Sequence, residues 1–361
     1  MISRTIYLNV NVIIFILLAQ VGRSYCIAST DSLSFIARNN NYFMFNVQPI
    51  NVPNNLNIVH IGDSHIQAGH WGNNLMQGLD SNGFESTEAV VLPHRFMKGL
   101  LQTTNLSIQT FNEYSIKSCA KNKYDSTYTH LSYFKSTDSI IGFIVKHNID
   151  TQINFETNAN YTLVKKTAIK NELSIDTLYY TRRDTGSFML WNITKQTVNK
   201  SATYYNLGLN GASYKTTAKY INLYMPYVVK ASIIIISLGA NDAYNQPFDS
   251  IQFYKDALTV INACYTKSNA HIIITNAGHA QYTSNELCTN TTVVNNVLKK
   301  IAIEYNLTYW NWYAIMGNKN CYNAWLSCGL ARNDYIHLTP QGYKLQANLF
   351  NSLLLELLYK K

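Results

Sequence analysis

Apolar and polar positions follow two different rhythms along this chain. The run LNIVHI at 56–61 is apolar on successive positions, rich in β-branched residues, and ends at Gly62. That is the pattern of a strand buried on both faces. SIIIISLG at 232–239 and HIIITNAG at 271–278 repeat it, and NLTYWNWY at 306–313 reads as the last strand. Helical spacing fills the intervals, from Gly62 to about residue 80, over 249–267 and over 284–305. Thr339 predicts an N-cap with Pro340 at the first helical position and Tyr343, Leu345, Ala347, Leu349, Phe350, Leu353 and Leu354 behind it. Strands alternating with helices predict an α/β fold with a doubly wound, mostly parallel sheet.

Between about 95 and 202 the rhythm changes. Thr, Tyr, Ser, Asn and β-branched residues dominate, and SIIGFIVKH, TQINFET and SFMLWNIT read as short alternating strands. A β-rich module inserted into the α/β domain is expected, in the form of a sandwich. A β-rich elaboration without its own core is the alternative.

The first thirty residues read as an export signal. Arg4 precedes the apolar stretch YLNVNVIIFILLAQV, and small residues follow around Gly22, Ser24 and Ala28. The stretch is short and interrupted by asparagine for a membrane span, so a signal peptide over 1–28 is expected, with an uncleaved anchor as the alternative. Tyr25 stands where a lipidation motif at Cys26 would need a small residue. No later segment reads as an integral span, and the mature protein is expected in the periplasm or at the cell surface.

Charge narrows the partners. The formal net charge of +9 comes from 29 Lys and Arg that form no stripe, with paired lysines only at 165, 299 and 360. A nucleic-acid partner is not expected, since no RNP, zinc-finger or basic-helix pattern accompanies the charge. A polyanionic surface such as a cell wall or an anionic membrane face fits it. Hydrophobic content of 47% against 14% charged residues excludes a disordered chain. The six cysteines (26, 119, 264, 288, 321 and 328) lack C-x-x-C spacing, so no metal site is expected. In an oxidising compartment Cys321 with Cys328 and Cys264 with Cys288 are candidate pairs, against free buried thiols.

The candidate chemistry begins at GDSH, 62–65, where Ser64 stands just past the end of a parallel strand. Active sites of open α/β sheets lie there, although a serine in that position also serves as a plain N-cap. A nucleophilic serine needs a base, a group to orient the base, and donors for the oxyanion. NDYIHLTPQGY, 333–343, offers Asp334 and His337 three residues apart. SLGANDAYN, 237–245, places Asn241 after another strand, and YYNLGLNGASY, 204–214, places Gly211 after a third.

G-D-S, N-x-G-x-x-G, G-x-N-D and D-x-x-H in this order resemble the SGNH (GDSL-like) hydrolases. The resemblance spans about 56–94 and 203–358 and implies a flavodoxin-like three-layer fold. It further implies Ser64 as nucleophile, His337 as general base and Asp334 as its orienter. The implied oxyanion hole comprises the Ser64 N–H, the Gly211 N–H and the Asn241 side chain. Gly208 competes with Gly211, which is preferred as the second glycine of its block. Within the family, GDSH, the β-rich segment and GLARNDYIHLTPQGY are similar to the bacterial peptidoglycan O-acetylesterases, which remove acetyl groups from the C6 hydroxyl of N-acetylmuramic acid. That likeness implies an acetylated polysaccharide as partner and chemistry without a cofactor. It divides the chain into a hydrolase domain of 50–94 and 203–361 and a carbohydrate-binding-like module over 95–202. An esterase for another polysaccharide, an acetyl transferase and a binding protein with a decayed hydrolase domain are the alternatives.

Other residues carry weaker signals. His65 and His70 follow the nucleophile at near-helical spacing without a Cys or carboxylate partner for a metal, and read as surface or substrate contacts. Asp63 is expected to hold the turn. His279 is an alternative base without an adjacent carboxylate. Trp310, Trp312 and Trp325 could stack on sugar rings, but a core role fits better. N-x-S/T matches at Asn105, Asn160, Asn192, Asn199, Asn290 and Asn306 accord with an asparagine-rich composition.

Overall fold

The computed structural model describes residues 44–359 apart from 46, 48, 52, 90–101, 104–105, 111–115, 119–131, 137–139, 149–151, 158–160, 171–172, 184–187, 197–200, 284–285 and 318–320. The expected signal peptide, Cys26 and Cys119 lie outside the described residues. The fold is α/β with a doubly wound, mostly parallel central sheet. In chain order the elements are β1 (Met44–Phe45), β2 (Asn55–Gly62), α1 (Ser64–Gln67), α2 (His70–Asp80) and β3 (Glu85–Ala89). The β-rich stretch holds β4 (Gln102–Thr103), β5 (Leu106–Thr110), β6 (Ile116–Ser118), β7 (Ser132–Ser136), β8 (Ile140–Asn148), β9 (Gln152–Thr157), β10 (Tyr161–Lys170), β11 (Leu173–Arg182) and β12 (Phe188–Gln196). Then come β13 (Ser201–Gly208), α3 (Tyr214–Lys219), α4 (Met225–Val228), β14 (Ile233–Ser237), α5 (Ala240–Tyr244), α6 (Ser250–Lys267) and β15 (His271–Thr275). The chain closes with β16 (Gln281–Thr283), β17 (Glu286–Leu287), α7 (Asn290–Glu304), β18 (Thr308–Trp310), α8 (Trp312–Met316), α9 (Tyr322–Ser327) and α10 (Pro340–Tyr359). Among the described residues no helix is long and apolar enough to cross a membrane.

Two compact units result. One comprises Asn51–Ile236 and Thr259–Ile272; the other comprises Ser237–Leu258, Ile273–Lys361 and the described residues before Asn51.

In the first unit β13 pairs in parallel with both β2 and β3, in the registers Gly208↔Gly62 and Ser201↔Glu85. Burial explains the composition of these strands. Ile58, Val59, Ile61, Tyr204 and Leu207 are wholly shielded, as are Ile233 to Ile236, so both faces of the strands are covered and apolar residues run on without alternation. His60 sits in this core, its Nδ1 2.7 Å from the Tyr204 hydroxyl and its ring edge-on to Trp71 at 4.5 Å. Burial pulls its pKa down to about 3, so it stays neutral. The β-rich stretch forms two antiparallel sheets, ordered β10-β11-β8-β5-β4 and β6-β7-β12-β9. Along β11 the residues Ser174, Asp176, Leu178 and Tyr180 are buried in alternation. The Asp176 carboxylate is satisfied by Lys165 Nζ at 2.6 Å and the Thr167 hydroxyl at 2.7 Å.

In the second unit β15 runs parallel to β18, and β1 is antiparallel to β18. Helix α10 begins as expected, with the Thr339 hydroxyl accepting from Gly342 N at 3.2 Å and Pro340 at the first helical position. Three expectations are corrected. The strand expected over 306–313 ends at Trp310, because the Asn311 side chain accepts from Ala314 N and caps α8. The helix expected over 284–305 starts at Asn290, because β16 and β17 pair as a hairpin before it. The helix expected after Gly62 is two helices, parted at Gly69 with φ 77°.

The thiols of Cys264, Cys288 and Cys321 are free. Cys321 and Cys328 cap opposite ends of the six-residue α9, which spaces them roughly 10 Å apart at 1.5 Å per residue, beyond disulfide reach.

Candidate active site

The candidate residues divide between the units: Ser64 and Gly211 belong to the first, and Asn241, Asp334 and His337 to the second.

In the first unit the paired strands β2 and β13 both end on glycine, and the two blocks leave the sheet from these neighbouring ends. Asp63 caps α1: its carboxylate accepts from His65 N at 2.9 Å, and it is 2% exposed. It holds the turn, as expected. Ser64 is then the first helical residue and half-buried, with its N–H among the helix-start amides that have no intrahelical acceptor. Asn206, a residue that sequence reasoning did not single out, joins the two blocks. Its Nδ2 donates to Ile66 O at 3.0 Å and its Oδ1 accepts from Gly208 N at 3.1 Å.

That bond bears on the choice between glycines. The Gly208 N–H is already engaged, and a Cβ there would lie 2.3 Å from Gln67 N and 2.7 Å from Ile66 C. Gly208 is therefore a close-approach residue that lets α1 lie on β13. Gly211 has φ 75° and open space where a Cβ would be, so its backbone faces outward from a left-handed turn. The Ser213 and Thr216 side chains close a capping box immediately afterwards and fix where α3 starts.

In the second unit Asp334 and His337 meet. The His337 Nδ1 lies 2.9 Å from Asp334 Oδ2, while Oδ1 accepts from Ile336 N at 3.0 Å and from His337 N at 2.8 Å. Partial burial alone would raise the Asp334 carboxyl, but the His337 and Ile336 amides and the imidazole outweigh it and hold the pKa below its ordinary value. The carboxylate is thus ionised at neutral pH and can only accept. A bond to this carboxylate requires the proton on Nδ1, which in a neutral imidazole makes Nε2 the basic nitrogen, the tautomer a general base needs.

The loop itself is anchored. Residue Tyr335 takes φ 59°, and its carbonyl accepts from Gln281 N at 3.0 Å. Arg332 N donates to His337 O at 2.8 Å, and the buried Tyr322 hydroxyl lies 2.9 Å from that same oxygen. Tyr322 was not legible as a site residue, because its contact joins positions fifteen apart and no local pattern marks it. Asn241 is the second residue of α5, behind Gly239 at φ 116°. His279, the alternative base, is 5% exposed; burial pulls its pKa down to about 4, and its Nε2 lies 3.4 Å from Gln281 Nε2, with no carboxylate described beside it. Trp310, Trp312 and Trp325 pack on one another in the core, with centroids 5.2 and 5.5 Å apart, and present no face to a sugar.

A strand-end serine block, a glycine turn, a G-x-N-D helix start and an anchored Asp–His loop on this fold are similar to the SGNH (GDSL-like) hydrolases. Residues 186–345 match the family described as GDSL-like lipase/acylhydrolase, a range that contains Gly211, Asn241, Asp334 and His337 and begins after Ser64. Among solved structures the chain is similar to one described as a peptidoglycan O-acetylesterase in action, at 17% identity and TM-score 0.63, covering 91% of this chain and 95% of that one. A lipase/acylhydrolase from Enterococcus faecalis is similar at 19% identity and TM-score 0.37, covering 45% of this chain and 79% of that one. A lipolytic G-D-S-L family member from Veillonella parvula is similar at 23% identity and TM-score 0.33, covering 42% and 79%. No curated protein matches the sequence.

Proposed function

We propose that this chain is an exported serine carboxylic-ester hydrolase that removes O-acetyl groups from a cell-wall polysaccharide, with peptidoglycan as substrate. The observation that carries the reading is the Asp334–His337 pair, in which Nδ1 lies 2.9 Å from an ionised carboxylate that can orient the ring as a base. The order of the four blocks, the family match and the likeness to a peptidoglycan O-acetylesterase support it. The diffuse charge of +9 accords with a polyanionic wall, and the apolar stretch near the N terminus with export.

In this reading the Ser64 hydroxyl attacks the acetyl carbonyl carbon while His337 Nε2 takes its proton. The Ser64 and Gly211 amides and the Asn241 side chain donate to the oxyanion of the tetrahedral intermediate. Collapse expels the sugar oxygen, which takes the proton from His337 and leaves acetyl-Ser64. Water, deprotonated by the same imidazole, attacks the acetyl carbon; collapse breaks the bond to Ser64 Oγ, which takes the proton back from His337 as acetate leaves.

The test is acetate release from acetylated peptidoglycan, with acetylated xylan and an aryl acetate as comparisons. Wild type should act on all three classes of ester bond in some measure and favour the wall polymer, while Ser64→Ala should fold normally and turn over none. Wild-type rates in a folded Ser64→Ala chain would remove the nucleophile assignment; preference for xylan would redirect the substrate.

A further inference from the structure

Helix α5, which carries Asn241, is five residues long and too short to be stable by itself. Its internal bonds include Ala243 N to Gly239 O at 3.0 Å and Asn245 N to Asn241 O at 3.2 Å. The carbonyls at its C-terminal end, Ala243 and Tyr244, lie past the reach of helical donors and need partners from elsewhere. They find them on the segment 281–290. Ala243 O accepts from Asn290 Nδ2 at 3.2 Å and lies 3.3 Å from Cys288 Sγ, and Tyr244 O accepts from the Tyr282 hydroxyl at 3.2 Å. Gln246 Nε2 donates back to that hydroxyl oxygen at 3.0 Å, and the Tyr244 and Tyr282 rings lie 4.7 Å apart.

The residue before Tyr282 holds the other half of this unit's chemistry. Gln281 N donates to the carbonyl of Tyr335, which stands between Asp334 and His337. One short strand, β16, therefore touches both the helix of Asn241 and the loop of His337 through adjacent residues. We propose that Tyr282 is a positioning residue: by anchoring the last turn of α5 to β16, it fixes the Asn241 amide relative to the His337 loop. The inference rests on the oxyanion role proposed for Asn241. A donor to a developing oxyanion must be held within about 0.5 Å, and a five-residue helix cannot supply that by its own hydrogen bonds.

The experiment uses the full chain carrying Tyr282→Phe, which keeps the ring against Tyr244 and removes the hydroxyl. Amide hydrogen exchange at Ala243 and Asn245 should accelerate. On an aryl acetate kcat should fall about three- to tenfold, the size expected for one hydrogen bond, with KM nearly unchanged. In an Asn241→Ala background the same substitution should cause no further loss, because the two residues act on one interaction. Unchanged exchange at these amides, or a Tyr282→Phe penalty that multiplies in full on Asn241→Ala, would overturn the inference. A wild-type chain inactive on the ester would overturn the proposed function instead, and the exchange measurement would still decide whether Tyr282 holds α5.

Discussion

Individual side chains set what can be tested first. If Asn241 donates to the oxyanion, Asn241→Ala should cost about 10²–10³ in kcat on a small acetyl ester with a lesser effect on KM, because the bond strengthens as charge develops. A change in KM alone would remove that role. His337→Ala should approach the loss seen for Ser64→Ala, since members of a unit are not additive, whereas Asp334→Asn should be milder. The neutral amide can still meet the imidazole but no longer enforces the Nδ1–H tautomer. A residue outside the site contributes to acid stability. His60 has a folded pKa pulled down to about 3 from 6.5, so its contribution is complete above pH 6.5 and declines as the pH falls, when the unfolded chain takes up the proton first. Each such histidine gives a slope of up to about 1.4 kcal/mol per pH unit at 25 °C. His60→Asn should flatten the fall in urea midpoint between pH 7 and pH 4.5; parallel profiles would show that His60 is not the titrating group.

Secondary elements explain why the block glycines are not equivalent. Gly208→Ala drives a methyl group into the backbone of α1 and should destabilise the fold by about 1–3 kcal/mol or more, since that backbone cannot yield without moving Ser64. Gly211→Ala meets open space and carries only the left-handed backbone penalty of about 1–2 kcal/mol. Thermal unfolding should therefore rank Gly208→Ala below Gly211→Ala; the reverse order would contradict the close approach of α1 to β13. The element scale is also where reading the sequence failed and succeeded for definable reasons. The apolar runs at 56–61, 233–236 and 271–275 were legible because burial on both faces leaves an unbroken signature. NLTYWNWY carries the pattern of one strand because Trp and Tyr suit a strand and a buried helix alike, and a single capping side chain, Asn311, ends it. The hairpin β16–β17 leaves no pattern in the sequence because its strands are three and two residues long.

At the scale of the whole molecule, the two antiparallel sheets over 102–196 raise a question of use. If they position polymer, replacing 95–202 with a short linker should impair hydrolysis of insoluble wall far more than hydrolysis of an aryl acetate, because remote binding helps only a substrate large enough to reach it. Equal losses on both would indicate a structural role. For this protein the sequence by itself determined the alternation of strands and helices, the N-cap of α10, and the block residues Ser64, Gly211, Asn241, Asp334 and His337 as candidates. Each of those signals is local, written within a few neighbouring positions. Only the tertiary structure decided that Gly208 is a packing residue with an engaged amide, that Asn206 ties α1 to β13, and that Tyr322 and Gln281 anchor the His337 loop. Those roles depend on backbone amides and carbonyls brought together from distant positions, and a hydrogen bond across 140 residues leaves no periodicity in the chain that makes it.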